Sequence, residues 1–259
     1  MKGDRKVVKG ASMSTIDLNS DLGEGAGTEA AIMPSITSAN VACGAHAGDE
    51  TTMRHAVRLA RSLGVGVGAH PGYRDPANFG RKRLDVPFDD LVRDLSAQIE
   101  LLASVARSER VSLAHVKPHG ALYNQAERDH NVARAVAQAV RASAPDVLLF
   151  APPGSALERA AAAAGLRVAR EGFLDRAYES DGTLRSRALP NSMVTDPAAA
   201  AAQALSFARD GGVRAHDGTF LDLRVDTLCI HGDSPGAPAI ARAAREALER
   251  NGIRVERVQ

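Results

Sequence analysis

Histidines, carboxylates and a lysine gather in a few short stretches of this chain, each following an apolar run. The densest is His115-Val-Lys-Pro-His-Gly-Ala-Leu-Tyr-Asn124, which sets His115, Lys117 and His119 beside Pro118 and Gly120. Proline and glycine stop regular structure, so a strand opening at Val111 gives way to a loop here. Cys43-Gly-Ala-His46-Ala-Gly-Asp49, Ala69-His70-Pro-Gly72 and Cys229-Ile-His231-Gly-Asp233 follow apolar runs in the same way, so five of the eight histidines fall at strand ends. Asn19-Ser-Asp-Leu-Gly-Glu24 and Glu171-Gly-Phe-Leu-Asp175-Arg176 add carboxylates, an amide and a guanidinium. Imidazoles and carboxylates brought together bind a divalent cation or exchange protons. A lysine among them can neutralise an oxyanion or a substrate carboxylate. Any single histidine here can equally serve to tie a loop down, so the reading rests on the clusters sharing one place.

For these groups to meet, the strands must end on one side. Thr15–Leu18, Ile36–Ala42, Val65–Ala69, Val111–Ala114, Val147–Ala151, Leu166–Ala169 and Val225–Ile230 read as strands, and Ile253–Val255 as a short further one. Asn19-Ser-Asp21 reads as the turn after the first. Between the strands lie helices. One runs from the Asp49 cap to Leu63 and is closed by Gly64. Another spans Phe88 to about Arg107, with Leu91, Leu95, Ile99, Leu102 and Val105 on one face. Val132, Val136 and Val140 mark a third. Others follow Ser155, run from Asp196 to about Arg209, and from Pro238 to Arg250.

Seven strand–helix units in series without a linker predict a parallel sheet. Right-handed crossovers leave two outcomes, an open doubly wound sheet or a barrel. An open sheet gathers its ligand at one switch point, whereas a barrel points every strand end at a shared mouth. Polar groups at the ends of at least six strands favour a parallel (β/α) barrel of about seven units. There is no GxxxxGK[ST] loop, and Gly64-Val-Gly66-Val-Gly68 lies in a strand with no helix to follow it, so no nucleotide-binding loop is recognised.

Composition narrows the function class. The 259 residues are 44% hydrophobic with a formal charge of +1, enough for a large core and no basis for binding nucleic acid or an anionic membrane. Five lysines occur, three within the first nine residues, which sets Lys117 apart. Two cysteines in different strands predict a reduced, cytoplasmic protein. They read as small core residues, Asp49 as a helix cap, and Glu24 as a candidate local cap. Residues 1–13 are polar and basic and read as a disordered leader before a single domain over 14–259.

Six segments in this order resemble the LamB/YcsF family of 5-oxoprolinase A subunits. They are Asp17–Glu24, Thr37–Asp49, Gly68–Tyr73, His115–Asn124, Asp175–Tyr178 and His231–Gly236. The resemblance implies a barrel of the glycoside hydrolase/deacetylase type. It also implies ATP-dependent opening of 5-oxoproline to glutamate together with two partner subunits, of B and C type, which fits the missing nucleotide loop. Ala45 stands where the family usually has phenylalanine, and Pro190-Asn-Ser192 replaces an expected Pro-Gly. On this footing Asp21, Lys117, His119 and Asp233 are expected to be catalytic, and Asn19, Glu24, His46, Arg176 and His231 to bind substrate. Asp21, His70 and His115 are expected to hold a divalent metal if one is used, with His119 as the alternative to His115. Two other readings stay open. One is a stand-alone metal-dependent deacetylase, since Asn19-Ser-Asp21 resembles the first motif of such enzymes. The other is a carrier that binds a small carboxylate without turnover.

Overall fold

The first strand, β1 (Thr15–Leu22), sets the pattern of the fold. Asp17, Asn19 and Asp21 alternate with Ile16, Leu18 and Leu22, and every residue after Thr15 is buried. Period-two alternation usually marks a strand with one face in water. Here the polar face turns into a closed barrel instead. This computed structural model describes residues 15–234 and 236–259. The leader expected over 1–13 lies outside the described residues.

Strands β2 (Ser38–Ala42), β3 (Gly66–His70), β4 (Leu113–Val116), β5 (Leu148–Ala151) and β6 (Arg167–Phe173) follow in order, each parallel to the last. Two short strands, β7 (Gly212–Arg214) and β8 (Phe220–Asp222), form an antiparallel hairpin outside the barrel. Strand β9 (Thr227–His231) pairs with β6 on one side and β1 on the other, closing seven parallel strands into a ring. A last strand, β10 (Arg254–Val255), adds to the start of β1. The expected seven-unit parallel barrel is therefore the fold. One sequence expectation is corrected: Asn19-Ser-Asp21 is not a turn. β1 continues through it because β2 and β9 pair with it on both sides, with Asp21 opposite both Asn40 and His231.

The helices that flank the ring are α1 (Glu29–Ile32), α2 (Glu50–Leu63), α3 (Phe88–Ser108), α4 (Gly120–Ala126), α5 (His130–Ser143), α6 (Ala156–Ala163), α7 (Pro197–Leu205) and α8 (Ala237–Arg250). Asp49 caps α2 by accepting from Thr52 N at 2.8 Å, and Gly64 ends it at φ 71°. Met53, Ala56, Val57 and Ala60 bury its inner face. The buried face of α3 carries Leu91, Leu95, Ile99, Leu102 and Val105, each contributing about 2 kcal/mol by leaving water. Gln98 interrupts that face to clamp the loop after β3, accepting from Gly72 N at 3.0 Å and donating to Gly72 O at 2.9 Å. The helix expected to reach Arg209 stops at Leu205 and widens into a π turn over Ser206–Asp210. Among the described residues no helix is long and apolar enough to cross a membrane.

Most of the apolar core lies between the strands and these helices. Among the described residues, Leu148, Phe150 and Ala169 form an apolar cluster inside the ring, and beside it lies a hydrogen-bonded network. Asp17 accepts from Thr37 Oγ1 at 2.6 Å and Ser38 Oγ at 2.8 Å. Asn19 Nδ2 donates to Glu171 Oε1 at 3.0 Å and Thr227 Oγ1 at 2.8 Å. Asn40 Nδ2 donates to Asn19 Oδ1 and Asp21 Oδ1 at 2.7 and 2.8 Å. Each unpaired group at this depth would cost about 1–3 kcal/mol, so the network is an obligation of the fold. Gly68 makes room for it: a Cβ there would overlap the His115 ring, which lies flat on Phe150 with 4.2 Å between ring centroids.

Candidate active site

The strands deliver their polar ends to one mouth. At its floor, the Lys117 side chain, the first after β4, is 3% exposed. Its Nζ donates to Asp21 Oδ1 at 2.8 Å and Cys229 Sγ at 2.9 Å, and lies 3.1 Å from Glu171 Oε1. Burial pushes the ammonium pKa down, but Asp21 foremost, with Cys229 and Glu171, outweighs this and holds it well above its usual value. Burial likewise pushes Asp21 up, and His70 and Lys117 hold it well below the carboxylate range. The floor is therefore an ammonium flanked by carboxylates. Two polar atoms beside it, Glu171 Oε2 and the Tyr123 hydroxyl, are buried and have no hydrogen-bond partner among the described residues.

On one side of Lys117 stand His70, His46, His119 and Glu24. His70 ends β3, and its Nδ1 lies 2.7 Å from Lys117 O. His119 precedes α4, with Nε2 2.8 Å from Phe79 O and Nδ1 3.0 Å from His70 Nε2. Glu24 Oε1 lies 3.1 Å from both His46 Nε2 and His119 Nδ1. Two glycines let this cluster close. A Cβ on Gly80, where φ is +62°, would come within 2.8 Å of His46 and 2.9 Å of His119, and one on Gly72 within 2.9 Å of His46. Burial pushes His46 down to about 4 and lowers His119, while His70 is raised because Asp21 overcomes the same burial.

On the other side His231 ends β9. Its Nδ1 lies 3.0 Å from the Asp175 carboxylate, which also accepts from Ser234 Oγ at 2.6 Å. A carboxylate only accepts, so Nδ1 carries the ring hydrogen and Nε2 a lone pair. Phe173 stacks on the ring with 5.4 Å between centroids. Between the two sides opens a cavity of about 520 Å³, bounded by Asp21, His70, Lys117, His119, Tyr123 and His231 below and by Arg81, Arg128, Arg176 and Arg187 above. Arg176 is 6% exposed. It donates to Arg185 O at 2.6 Å, and its Nε has no partner among the described residues. Burial, aided by Arg187, lowers its pKa to about 10.

The structure thus brings together most residues singled out from sequence. Asp21, Lys117, His70, His119, Arg176 and His231 line the cavity, and Glu24 and His46 stand directly behind His119. Asn19 lies one layer deeper, its Oδ1 3.5 Å from Lys117 Nζ. Asp233 sits at the rim, paired with Arg81. The structure does not bring His115 to the metal group expected of it. It lies below Lys117 with Nε2 2.6 Å from Asn40 Oδ1, so its one inward nitrogen is already engaged in the barrel network. Glu24 is no helix cap. Asp49 is one, as expected, and Cys43 and Cys229 are both core residues, Cys229 also touching the ammonium. Glu171, Asn40 and Tyr123 were not singled out as site residues from the sequence. Tyr123 had a signal in its place one helical turn after His119, whereas Asn40 and Glu171 lie on strands that carry no other residue singled out.

The chain matches the LamB/YcsF family over residues 16–259. It is 51% identical over 248 residues to the A subunit of 5-oxoprolinase from Chloroflexus aggregans, covering 94% of this chain and 98% of that protein. The lactam utilization protein of Thermus thermophilus superposes with a TM-score of 0.88 at 45% identity, covering 93% of this chain and 99% of that one. A T48 deacetylase at 11% identity and a GH113 β-1,4-mannanase at 13% share the fold alone, with TM-scores of 0.52 and 0.50. In sequence, length and architecture alike, the chain belongs to the LamB/YcsF family.

Proposed function

We propose that this chain is the A-type subunit of an ATP-dependent 5-oxoprolinase, which opens the lactam of 5-oxoproline to glutamate with B- and C-type partners. The observation that carries the reading is a pair of buried cations, Lys117 and Arg176, lining one cavity together with His231, which the Asp175 carboxylate holds. The relatives' names supply the lactam. 5-Oxoproline has a carboxylate and a cyclic amide, so it needs one fixed positive charge for the first and a donor for the oxyanion that forms at the second. Arg176 is the group for the carboxylate, since its guanidinium makes no salt bridge among the described residues and its fork suits a bidentate contact. Lys117 is the group for the oxyanion. All three of its hydrogens have partners, and the weakest acceptor among them is Cys229 Sγ, the one an oxyanion would displace.

His231 Nε2 is the base that takes a proton from water as its oxygen bonds to the lactam carbon. Asp175 holds the tautomer and stabilises the imidazolium that results. Breaking the carbon–nitrogen bond then returns that proton to the ring nitrogen. The catalytic part expected of His119 passes to His231, because both nitrogens of His119 already face neighbours. A lactam is a stabilised amide, and a phosphoryl group placed on its oxygen from ATP by the partners would make its carbon electrophilic. Ring opening then leaves an acyl phosphate, which a second water would hydrolyse to glutamate and phosphate, with Lys117 facing the negative charge on that oxygen. Two buried free thiols, Cys43 and Cys229, are in keeping with work in the cytoplasm.

The test is glutamate formation from 5-oxoproline, measured with and without ATP and with and without the co-expressed products of neighbouring genes. The assembled complex is expected to form glutamate only with ATP, and the lone chain neither to hydrolyse ATP nor to open the ring. Robust turnover by the lone chain overturns the partner requirement. An assembled complex that leaves 5-oxoproline intact overturns the substrate.

A further inference from the structure

His70 Nε2 and His119 Nδ1 face each other across 3.0 Å, and the contact is no ordinary hydrogen bond between neutral rings. The other nitrogen of each ring lies against a carbonyl oxygen, His70 Nδ1 at 2.7 Å from Lys117 O and His119 Nε2 at 2.8 Å from Phe79 O. A carbonyl only accepts, so those two nitrogens carry the hydrogens and the facing pair are both lone pairs. Glu24 Oε1 is a further acceptor, 3.1 Å from His119 Nδ1 and 3.7 Å from His70 Nε2. Asp21 Oδ2 is 3.5 Å from His70 Nε2. Three electron-pair donors, His70 Nε2, His119 Nδ1 and Glu24 Oε1, converge in a buried place, with Asp21 beside His70. A single shared proton relieves one of these contacts and leaves the others acceptor against acceptor.

We propose that His70 Nε2, His119 Nδ1 and Glu24 Oε1 bind one divalent transition-metal ion of the zinc type, with a water completing its tetrahedron. A tetrahedral ion with bonds of about 2.0–2.1 Å separates its ligand atoms by about 3.3 Å. The separations among these three atoms, 3.0, 3.1 and 3.7 Å, bracket that value. The two rings stand at 88° to each other, so both lone pairs can aim at one point between them. The carbonyls of Lys117 and Phe79 fix the ring tautomers from behind, as the outer partners of metal-bound histidines do. Two imidazoles in the set favour zinc and its neighbours over magnesium or calcium.

His46 belongs to the site without being a ligand. Its ring lies parallel to His119, at 2° with 3.7 Å between centroids, so an ion in the plane of one ring is outside the plane of the other. It donates to Glu24 Oε1 at 3.1 Å and is a positioning residue for that carboxylate. A second convergence, Asp21 with Cys229 and His231, is a poorer site. The Lys117 ammonium sits 2.9 Å from Cys229 Sγ and repels a cation, and Asp175 holds His231 Nδ1. An ion between His70 and His119 would border the cavity, where it would polarise a carbonyl or acidify water.

The proposal goes beyond the lactam reading and is tested without turnover. Full-length chain stripped with a chelator is dialysed against Zn²⁺ and, separately, titrated with Co²⁺. Expected are one zinc per chain and the visible bands of tetrahedral cobalt without an intense near-ultraviolet thiolate band. His119→Asn and Glu24→Gln should each weaken zinc binding by about 10²-fold or more, and His46→Gln by about 10-fold. Failure of the unaltered chain to take up stoichiometric zinc at micromolar concentration overturns the site. So does a thiolate band, which would move the ion to Cys229, or folded His70→Asn and His119→Asn variants that bind zinc like the parent. The cobalt spectrum needs no variant, so a misfolded mutant leaves the proposal decidable.

Discussion

Replacing Lys117 by methionine takes the ammonium out of the barrel floor and keeps most of its volume. The Nζ that is lost stands 2.8 Å from Asp21 Oδ1 and 3.1 Å from Glu171 Oε1. Their side chains are 4% and 0% exposed, so the variant strands two carboxylates with little water to solvate them. Removing one partner of a buried ion pair costs about 3–5 kcal/mol. In a chain of this size each kcal/mol lowers Tm by about 2–4 °C, which predicts a fall of about 6–20 °C by calorimetry. Turnover is a separate quantity. If Lys117 stabilises the oxyanion, kcat of the assembled complex should fall by about 10²-fold or more with KM little changed. The double variant Lys117→Met/Asp21→Asn separates the two effects. It removes one stranded charge, so it should recover part of the lost Tm while leaving the rate low. A turnover within about threefold of the parent, accompanied by the lowered Tm, would show that the ammonium only ties the floor together. A rise in KM alone would give it the substrate carboxylate instead.

Asp175→Asn should lower kcat by about 10²-fold, because an amide can present its NH₂ to His231 Nδ1 and favour the wrong tautomer; unchanged steady-state kinetics would remove His231 from the mechanism. Gly68→Ala should destabilise the chain by about 1–3 kcal/mol or more in urea unfolding, since the new methyl meets a ring already wedged against Phe150; an unaltered midpoint would contradict the packing described for His115. Burial, with the Lys117 charge adding to it, pushes His115 down to about 3. Its unfolded value is about 6.5, so below that pH the unfolded chain takes a proton that the fold refuses. Stability should therefore decline as pH falls from about 6.5, by at most about 1.4 kcal/mol per unit for this group. Urea midpoints between about pH 7 and pH 5 should show the decline, and His115→Gln should make it shallower.

The helices were legible because their apolar spacing is regular, as in Leu91, Leu95, Ile99 and Leu102 of α3, and because Asp49 and Gly64 mark both ends of α2. The shared mouth was legible because His46, His70, His119 and His231 each follow an apolar run. The interior was not. In β1 and β2, Asp17, Asn19, Asp21, Ser38 and Asn40 alternate with apolar residues, and that pattern ordinarily means one face in water. Only the closure of the ring turns it into a buried network, and closure is a tertiary fact. His115 misled for the same reason, since its place along β4 shows its side of the strand but not its depth. Glu24 was read by local chemistry, whereas its partners His46 and His119 lie far along the chain. The β7–β8 hairpin did carry a local sign, Asp217-Gly218 at its turn, but its strands are three residues each and gave no periodic signal.

The seam between β1 and β9 has a consequence for how the chain is made. Ser20 Oγ reaches Ile230 O at 2.6 Å, and Asn19 Nδ2 reaches Thr227 Oγ1 at 2.8 Å, contacts that span about 210 residues of sequence. Emerging from the ribosome at about 5–20 residues per second, the chain spends roughly ten to forty seconds with the polar face of β1 made but without its mate. During that interval Asp17, Asn19 and Asp21 are satisfied by water, and the Lys117 floor lacks Cys229 and the His231–Asp175 pair. Loop closure over such a span comes late in folding. The protein therefore has no partly competent precursor: the strand that shuts the ring is also the one that completes the site.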